Sequence, residues 1–236
     1  MDEAVVDIFG YHALQLGVPE LPALHANRMP HQWLACEQLP PHWNTAGSRV
    51  ALLSDFSALP FPANSLDLVV LPHTLEFSAD PHATLREVER VLVPDGRVVI
   101  CGLNPVSLWG ARQQRGRWLR KLGVGSLFLP DGGEFIGYWR LRDWLSLLSF
   151  EVEAAEFGCY RPAVKTQKWL QRFAWMDRIG ARWWPIVGSA YFLVAVKRVR
   201  GMRLLEPAWK KVPARASKVV SITNRTSPPR TTRKNQ

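Results

Sequence analysis

The sequence predicts an α/β protein built on a mostly parallel sheet with helices on both faces, and three observations carry that prediction. "RVALLS" (49–54) and "LDLVVL" (66–71) are short apolar runs of strand length without alternation, as strands buried on both faces show. "SADPHATLREVERVL" follows the second run as an amphipathic helix: Asp80 is placed to cap, Pro81 takes the first helical position, and Leu85, Val88, Val91 and Leu92 recur on one face. "VPDG" (93–96) then turns the chain into "RVVICGL" (97–103), closed by Asn104 and Pro105. Strand, helix and strand joined by short connections form a right-handed crossover between parallel strands.

The same rhythm extends upstream. "YHALQLG" (11–17) reads as a strand stopped by a glycine and "HQWLAC" (31–36) as the next. Downstream, "YWRLRDWLSLLSF" (138–150) has the helical period, "EVEAAEFGCY" (151–160) alternates, and "SAYFLVAVKRV" (189–199) is β-prone. Residues 166–182 between them predict a helix with Trp169, Leu170, Phe173, Met176 and Ile179 on one side. Past Arg200 the apolar periodicity ends among Pro, Ser, Thr and basic residues, so the expected organisation is one domain over 1–200, with an insertion at 105–137, and a disordered basic tail over 201–236.

Composition narrows the function classes. The 236 residues carry a formal charge of +10, but residues 197–236 hold twelve Lys and Arg against Glu206 alone, while residues 1–196 come to −1. A basic tail on a neutral body points to an appended interaction segment. Three cysteines without CxxC spacing argue against a disulfide framework or a zinc site. The longest apolar run, "WWPIVGSAYFLVAV" (183–196), is too short to span a bilayer, and "MDEAVVDIF" has acids where an export signal carries basic residues. The expectation is a soluble, cytoplasmic protein.

In open α/β sheets ligands bind beyond the carboxyl ends of the strands. Gly17, Glu37, Asp55 and "PHTLEF" (72–77) all fall at such ends. Four elements then occur in order: "DFSALPF", "SLDLV", "LEF" and "LREVERVLVPDGR". Over Ser54–Pro105 this run resembles the class I S-adenosylmethionine-dependent methyltransferases, in particular the type 11 group that includes ubiquinone-pathway enzymes. The late "LSLLSFEVEAAE" is similar to that family's final helix and antiparallel hairpin. The resemblance implies a Rossmann-like, mostly parallel seven-stranded sheet with an antiparallel last strand, S-adenosylmethionine as cofactor, and methyl transfer to a small or lipid-like acceptor.

By that resemblance the Asp55 carboxylate takes the adenine amino group, the Phe56 amide donates to the ring, and "ALPF", with Leu59, walls the adenine. Gly17 passes under the amino-acid end of the cofactor, Glu37 takes the ribose hydroxyls, and Pro72 and His73 border the transferred methyl. The family's glycine-rich loop is reduced here to Gly17, followed by Val18 and Pro19. His73 is the candidate general base. Glu76, Asn104, Trp109 and Trp118 are candidate acceptor contacts, the last two interleaved with Arg112, Arg115, Arg117, Arg120 and Lys121 in a stretch suited to stacking and phosphate contact. Phe77 stands where the family often has histidine, so no metal is expected.

Plainer readings compete. Asp55 suits a turn, Asp67 suits capping at a strand start, His73 suits a packed histidine, and the tryptophans suit a lid packed on the core. Methyl transfer asks for placement more than for side-chain chemistry, since the sulfonium is already electrophilic. Two alternatives to a methyltransferase of small or lipid-like acceptors stand beside it: a non-catalytic binding protein with a degenerate glycine loop, and an RNA-associated methyltransferase that grips nucleic acid through its basic tail. The acceptor, the methylated atom and the oligomeric state are not legible in the sequence.

Overall fold

The computed structural model describes residues 5–38, 50–121, 133–162, 172–173 and 175–199. Contacts divide the chain into the units Met1–Gly201 and Met202–Gln236, and every described residue lies in the first. The tail at 201–236, Trp169 and Leu170 therefore lie outside the described residues.

Seven strands form one sheet: β1 (His12–Leu16), β2 (His31–Cys36), β3 (Val50–Leu53), β4 (Leu66–Pro72), β5 (Leu92–Leu103), β6 (Phe150–Gly158) and β7 (Ala190–Lys197). Their order is β3-β2-β1-β4-β5-β7-β6. The pairs from β3 to β5 are parallel, and β7 runs antiparallel between β5 and β6. The strand order reverses between β1 and β4, which opens the crevice used by ligands in such sheets. The strand rhythm predicts the mostly parallel sheet, and the fold is the Rossmann-like one that the family resemblance implies.

Helices α1 (Thr74–Phe77), α2 (Pro81–Val91), α3 (Leu108–Lys121), α4 (Tyr138–Leu147) and α5 (Trp175–Trp183) connect or cover these strands. The helix read from residues 166–182 is thus present over Trp175–Trp183. On one face of the sheet Leu85, Val88 and Val91 of α2 and Leu141 and Leu145 of α4 pack on Leu14, Val69, Val98, Ile100 and Leu193, all fully buried or nearly so. The other face, carrying Ala13, Leu68, Val70 and Val99, is covered by Val5, Ile8, Ala23, Leu24 and Met29.

Local polar chemistry fixes the frame. Asp80 accepts from the amides of His82 and Ala83 at 3.0 Å each and so caps α2 at Pro81. Asp67 acts inside the frame too: its Oδ2 accepts from the amides of Tyr11 and His12 at 2.8 and 2.9 Å, clipping the start of β1 to β4. Gly10 makes room for this clip, since a Cβ there would lie 2.4 Å from that of Asp67. Lys197 is buried at the end of β7, where its Nζ donates to the carbonyls of Glu89 and Leu92 and to Asn64 Oδ1 and pairs with Glu89.

Candidate functional site

The carboxyl ends of β1, β2 and β4 converge on a cleft of about 390 Å³, within the usual range for a small-molecule site of ~300–1,000 Å³. Gly17, Glu37 and Phe56, picked from three separate strand ends, all line it, together with Val18, Thr74 and Phe77. Phe56 is buried, and the Glu37 side chain stands exposed at the rim. The lining set thus offers a carboxylate that can accept from hydroxyls, an aromatic wall and backbone at a glycine, which suits a nucleoside.

The loop that floors this cleft has an unusual support. Among the described residues the link from Gly17 to Pro30 contains turns and no helix. Gln15, buried on β1, supplies the missing order: its Nε2 donates to the carbonyls of Val18 and Leu21 at 3.1 and 2.6 Å, and its Oε1 accepts from the Ala23 amide at 3.0 Å. One side chain therefore holds both ends of the turn. Gly17 has φ +73°, and Val18 follows at φ 36°, a left-handed conformation that a β-branched residue rarely adopts. Thr74 Oγ1 donates to the Leu16 carbonyl and sits where a Cβ on Gly17 would come within 3.2 Å, so the glycine is required twice over.

The other expected cofactor contacts are placed differently. Asp55 is exposed, and its Oδ1 accepts from both the amide and the hydroxyl of Ser57 at 2.7 Å, closing its own loop. This fully exposed hydrogen bonding, first from the Ser57 amide, holds the carboxyl below its ordinary value. Leu59 is buried in the sheet–helix core, where its amide donates to Glu87. Pro72 ends β4 opposite Cys101.

His73, at φ 55°, turns the chain from β4 into α1. Its Nδ1 lies 3.0 Å from Glu76 Oε2 and its Nε2 3.7 Å from Cys101 Sγ. Glu76 is 4% exposed, and its Oε1 accepts from the Leu103 amide. Hydrogen bonds from the ring to Cys101 and then to Glu76 outweigh burial and push the His73 pKa up to about 10. The raised pKa favours the charged ring, and Glu76 and Cys101 occupy both of its nitrogens, which argues against general-base work. Cys101 also borders a second cleft of about 510 Å³, lined by Glu156, Phe157, Tyr191 and Phe192. Burial holds the neighbouring Tyr191 phenol in its neutral form. The His73 cluster thus stands between two clefts, touching the smaller through Thr74 and the larger through Cys101.

The remaining candidates are spread over other elements. Asn104 is buried, donating from Nδ2 to the carbonyls of Ile186 and Gly188 and accepting from the Val106 amide. Trp109 Nε1 donates to the Arg161 carbonyl, and Trp118 is 63% exposed. Gln15, Thr74 and Cys101 were not singled out from the sequence. Cys101 was detectable in principle, because in-register pairing of β4 with β5 puts it beside Pro72.

Comparison with known proteins bears on the fold and the family. Residues 28–100 match the family model described as "Methyltransferase domain". The chain is similar to the uncharacterized protein YafS of Escherichia coli (strain K12), 37% identical over 148 residues, 61% of this chain and 55% of that one. It is similar to malonyl-[acyl-carrier protein] O-methyltransferase of Halorhodospira halophila, 35% identical over 65 residues, 28% of this chain and 21% of that one. The matches thus span about half the length of the first relative and about a fifth of the second. Among solved structures it is similar to a SAM-dependent methyltransferase of Thermotoga maritima, named a possible histamine N-methyltransferase, with TM-score 0.57, 14% identity, and 84% and 87% of the two chains covered.

Proposed function

From the premise that residues 28–100 belong to the class I, type 11 methyltransferase domain family, whose cofactor is S-adenosylmethionine, we propose that this protein transfers a methyl group to a small or lipid-like acceptor. The observation that carries the reading is the convergence of Gly17, Glu37 and Phe56 on one nucleoside-sized cleft. The residues fit the group. The Glu37 carboxylate accepts from a sugar diol, Phe56 supplies an apolar wall, and the Gly17 backbone admits close approach. The cofactor, when bound, supplies an electrophilic methyl on a sulfonium centre.

Everything else asked of the chain is placement. Gln15 fixes the loop that floors the cleft. Glu76 fixes His73 between the two clefts. The larger cleft beyond Cys101 is where the acceptor is assigned, with the His73 ring, engaged by Glu76 and Cys101, held behind its wall. An acceptor that must lose a proton finds no base in His73 at neutral pH, which favours acceptors that are already nucleophilic.

Isothermal titration with S-adenosylmethionine and with its demethylated product tests the reading. Saturable binding that Glu37→Ala weakens by roughly tenfold or more is expected from loss of a charge-assisted pair of hydrogen bonds. Absence of heat for both ligands at about millimolar concentration would sink it, since that is the weakest specific affinity worth the name.

A further inference from the structure

The end of the sheet that carries the His73 cluster also presents apolar side chains to solvent. Asn104 fastens two loops together through Ile186 and Val106, and both of those side chains point outward, 47% and 71% exposed. Leu108 (49%), Trp175 (56%) and Trp184 (63%) continue the surface, and a hollow of about 240 Å³ opens among Leu108, Tyr160, Trp175, Met176, Trp184 and Val187. These residues form one body. Trp109 is hydrogen-bonded to Arg161, Arg161 is paired with Asp177 at 2.6 Å, and Asp177 accepts from the Tyr160 amide, which ties α3, the end of β6 and α5 together. Contiguous exposed apolar surface of this kind marks an interaction site.

The charge around it selects the partner. Helix α3, "LWGARQQRGRWLRK", contains four arginines, a lysine and no acid, and Arg182 is exposed at the end of α5, whose only acid, Asp177, is engaged by Arg161. Tryptophan and aliphatic side chains beside an arginine-rich helix and the exposed Arg182 are what an anionic bilayer surface accepts: the indoles sit at headgroup level, the aliphatics reach below, and the cationic side chains meet phosphate. A nucleic acid would satisfy the arginines and stack on the tryptophans, but Val106, Ile186 and Leu108 would gain nothing from it. A second copy of the chain would bring two basic helices together. No helix among the described residues is long and apolar enough to cross a membrane, so attachment through this face would be peripheral.

We propose that the surface formed by Val106, Leu108, Trp175, Trp184 and Ile186, with the basic helix α3 and Arg182 beside it, docks this protein on an anionic lipid bilayer. Docking stands independently of catalysis. That the docked face would admit a lipid-soluble acceptor to the cleft beyond Cys101 rests on the methyltransferase reading, and the cofactor titration above tests that reading without any lipid.

The test uses the full chain with phosphatidylcholine vesicles, with and without phosphatidylglycerol, read by co-sedimentation and by quenching of tryptophan fluorescence by brominated acyl chains. Retention on the anionic vesicles, weakened by salt and accompanied by quenching, is expected. The double variant Trp184→Ser with Ile186→Ser, both at exposed positions, should melt as the parent does and bind roughly tenfold more weakly or worse. Equal binding by parent and variant would overturn the proposal, because the basic tail would then account for attraction alone. Retention without quenching, retention on RNA with none on vesicles, or self-association in place of vesicle binding would each overturn it as well. Quenching is read on the parent protein, so the outcome does not hang on the variant folding.

Discussion

Glu76 Oε2 lies 3.0 Å from His73 Nδ1 while Oε1 of the same side chain accepts from the Leu103 amide, so one buried carboxylate joins the end of β4 to the end of β5. Glu76→Gln should therefore destabilise the fold by about 1–3 kcal/mol, the usual cost of leaving a buried hydrogen-bonding group poorly paired. Urea denaturation at neutral pH measures it. A change indistinguishable from zero would mean that the carboxylate holds nothing.

The same contact gives a pH dependence with a definite sign. His73 titrates at about 10 when folded against an ordinary 6.5, so its protonated form stabilises the native state. That stabilisation is complete below about 6.5 and is lost as pH rises through about 10. His73→Asn, which tolerates the left-handed backbone, removes the contribution. The stability difference between parent and variant should shrink from pH 6.5 toward pH 10, and the imidazole carbon-bound protons should show no titration near 6.5 by NMR.

Gln15 ties together the turn that floors the smaller cleft. Replacing it by Leu removes the side-chain bonds to the Val18 and Leu21 carbonyls and the Ala23 amide and leaves only the backbone bonds Leu21 N–H to Val18 and Ala23 N–H to Leu21. Cofactor affinity should fall by roughly tenfold or more while the sheet stays intact, a loss of about 1–3 kcal/mol. Calorimetric titration together with far-ultraviolet circular dichroism separates the two effects. Unchanged affinity would show that the loop keeps its shape by other means.

Gly17 and Val18 should respond in opposite directions. Gly17→Ala forces a Cβ toward Thr74 at φ +73° and is expected to cost about 1–2 kcal/mol. Val18→Gly relieves a β-branched residue at φ 36° and should leave stability level or raise it by about 1 kcal/mol, less the added chain entropy. Thermal melting of both variants checks the contrast. A Gly17→Ala variant as stable as the parent would show that the tight turn is unnecessary.

What the sequence disclosed follows from where local chemistry dominates. The βαβ unit from Val50 to Leu103 was legible because its strands are uninterrupted apolar runs and its helix carries its own cap and period. Glu37, Gly17 and Phe56 were legible as a set because strand ends in an open sheet point the same way, so reading the strands places the residues beyond them. The parts that escaped depend on long-range pairing. Nothing local marks Gln15 as the support of the cleft loop, because its role is defined by carbonyls that reach it only after the turn has folded. His73 is expected as a base from its ordinary titration, and nothing local announces the approach of Cys101 from β5 and Glu76 from α1, which raises its pKa. Asp55, attractive beside "LPF", spends a carboxylate oxygen on its own Ser57.

The Gln15 tether also sets how the pocket breathes. With no helix between Gly17 and Pro30, the segment is held by the Gln15 and Asn27 side chains and by Ala23, Leu24 and Met29 sunk against the sheet, and its stretch nearest the cleft, from Gly17 to Leu21, rests on Gln15 and short turn bonds. Amide protons of that stretch should exchange with solvent ahead of those in β1 and β4, so that ligand entry asks for a local loosening instead of a movement between lobes.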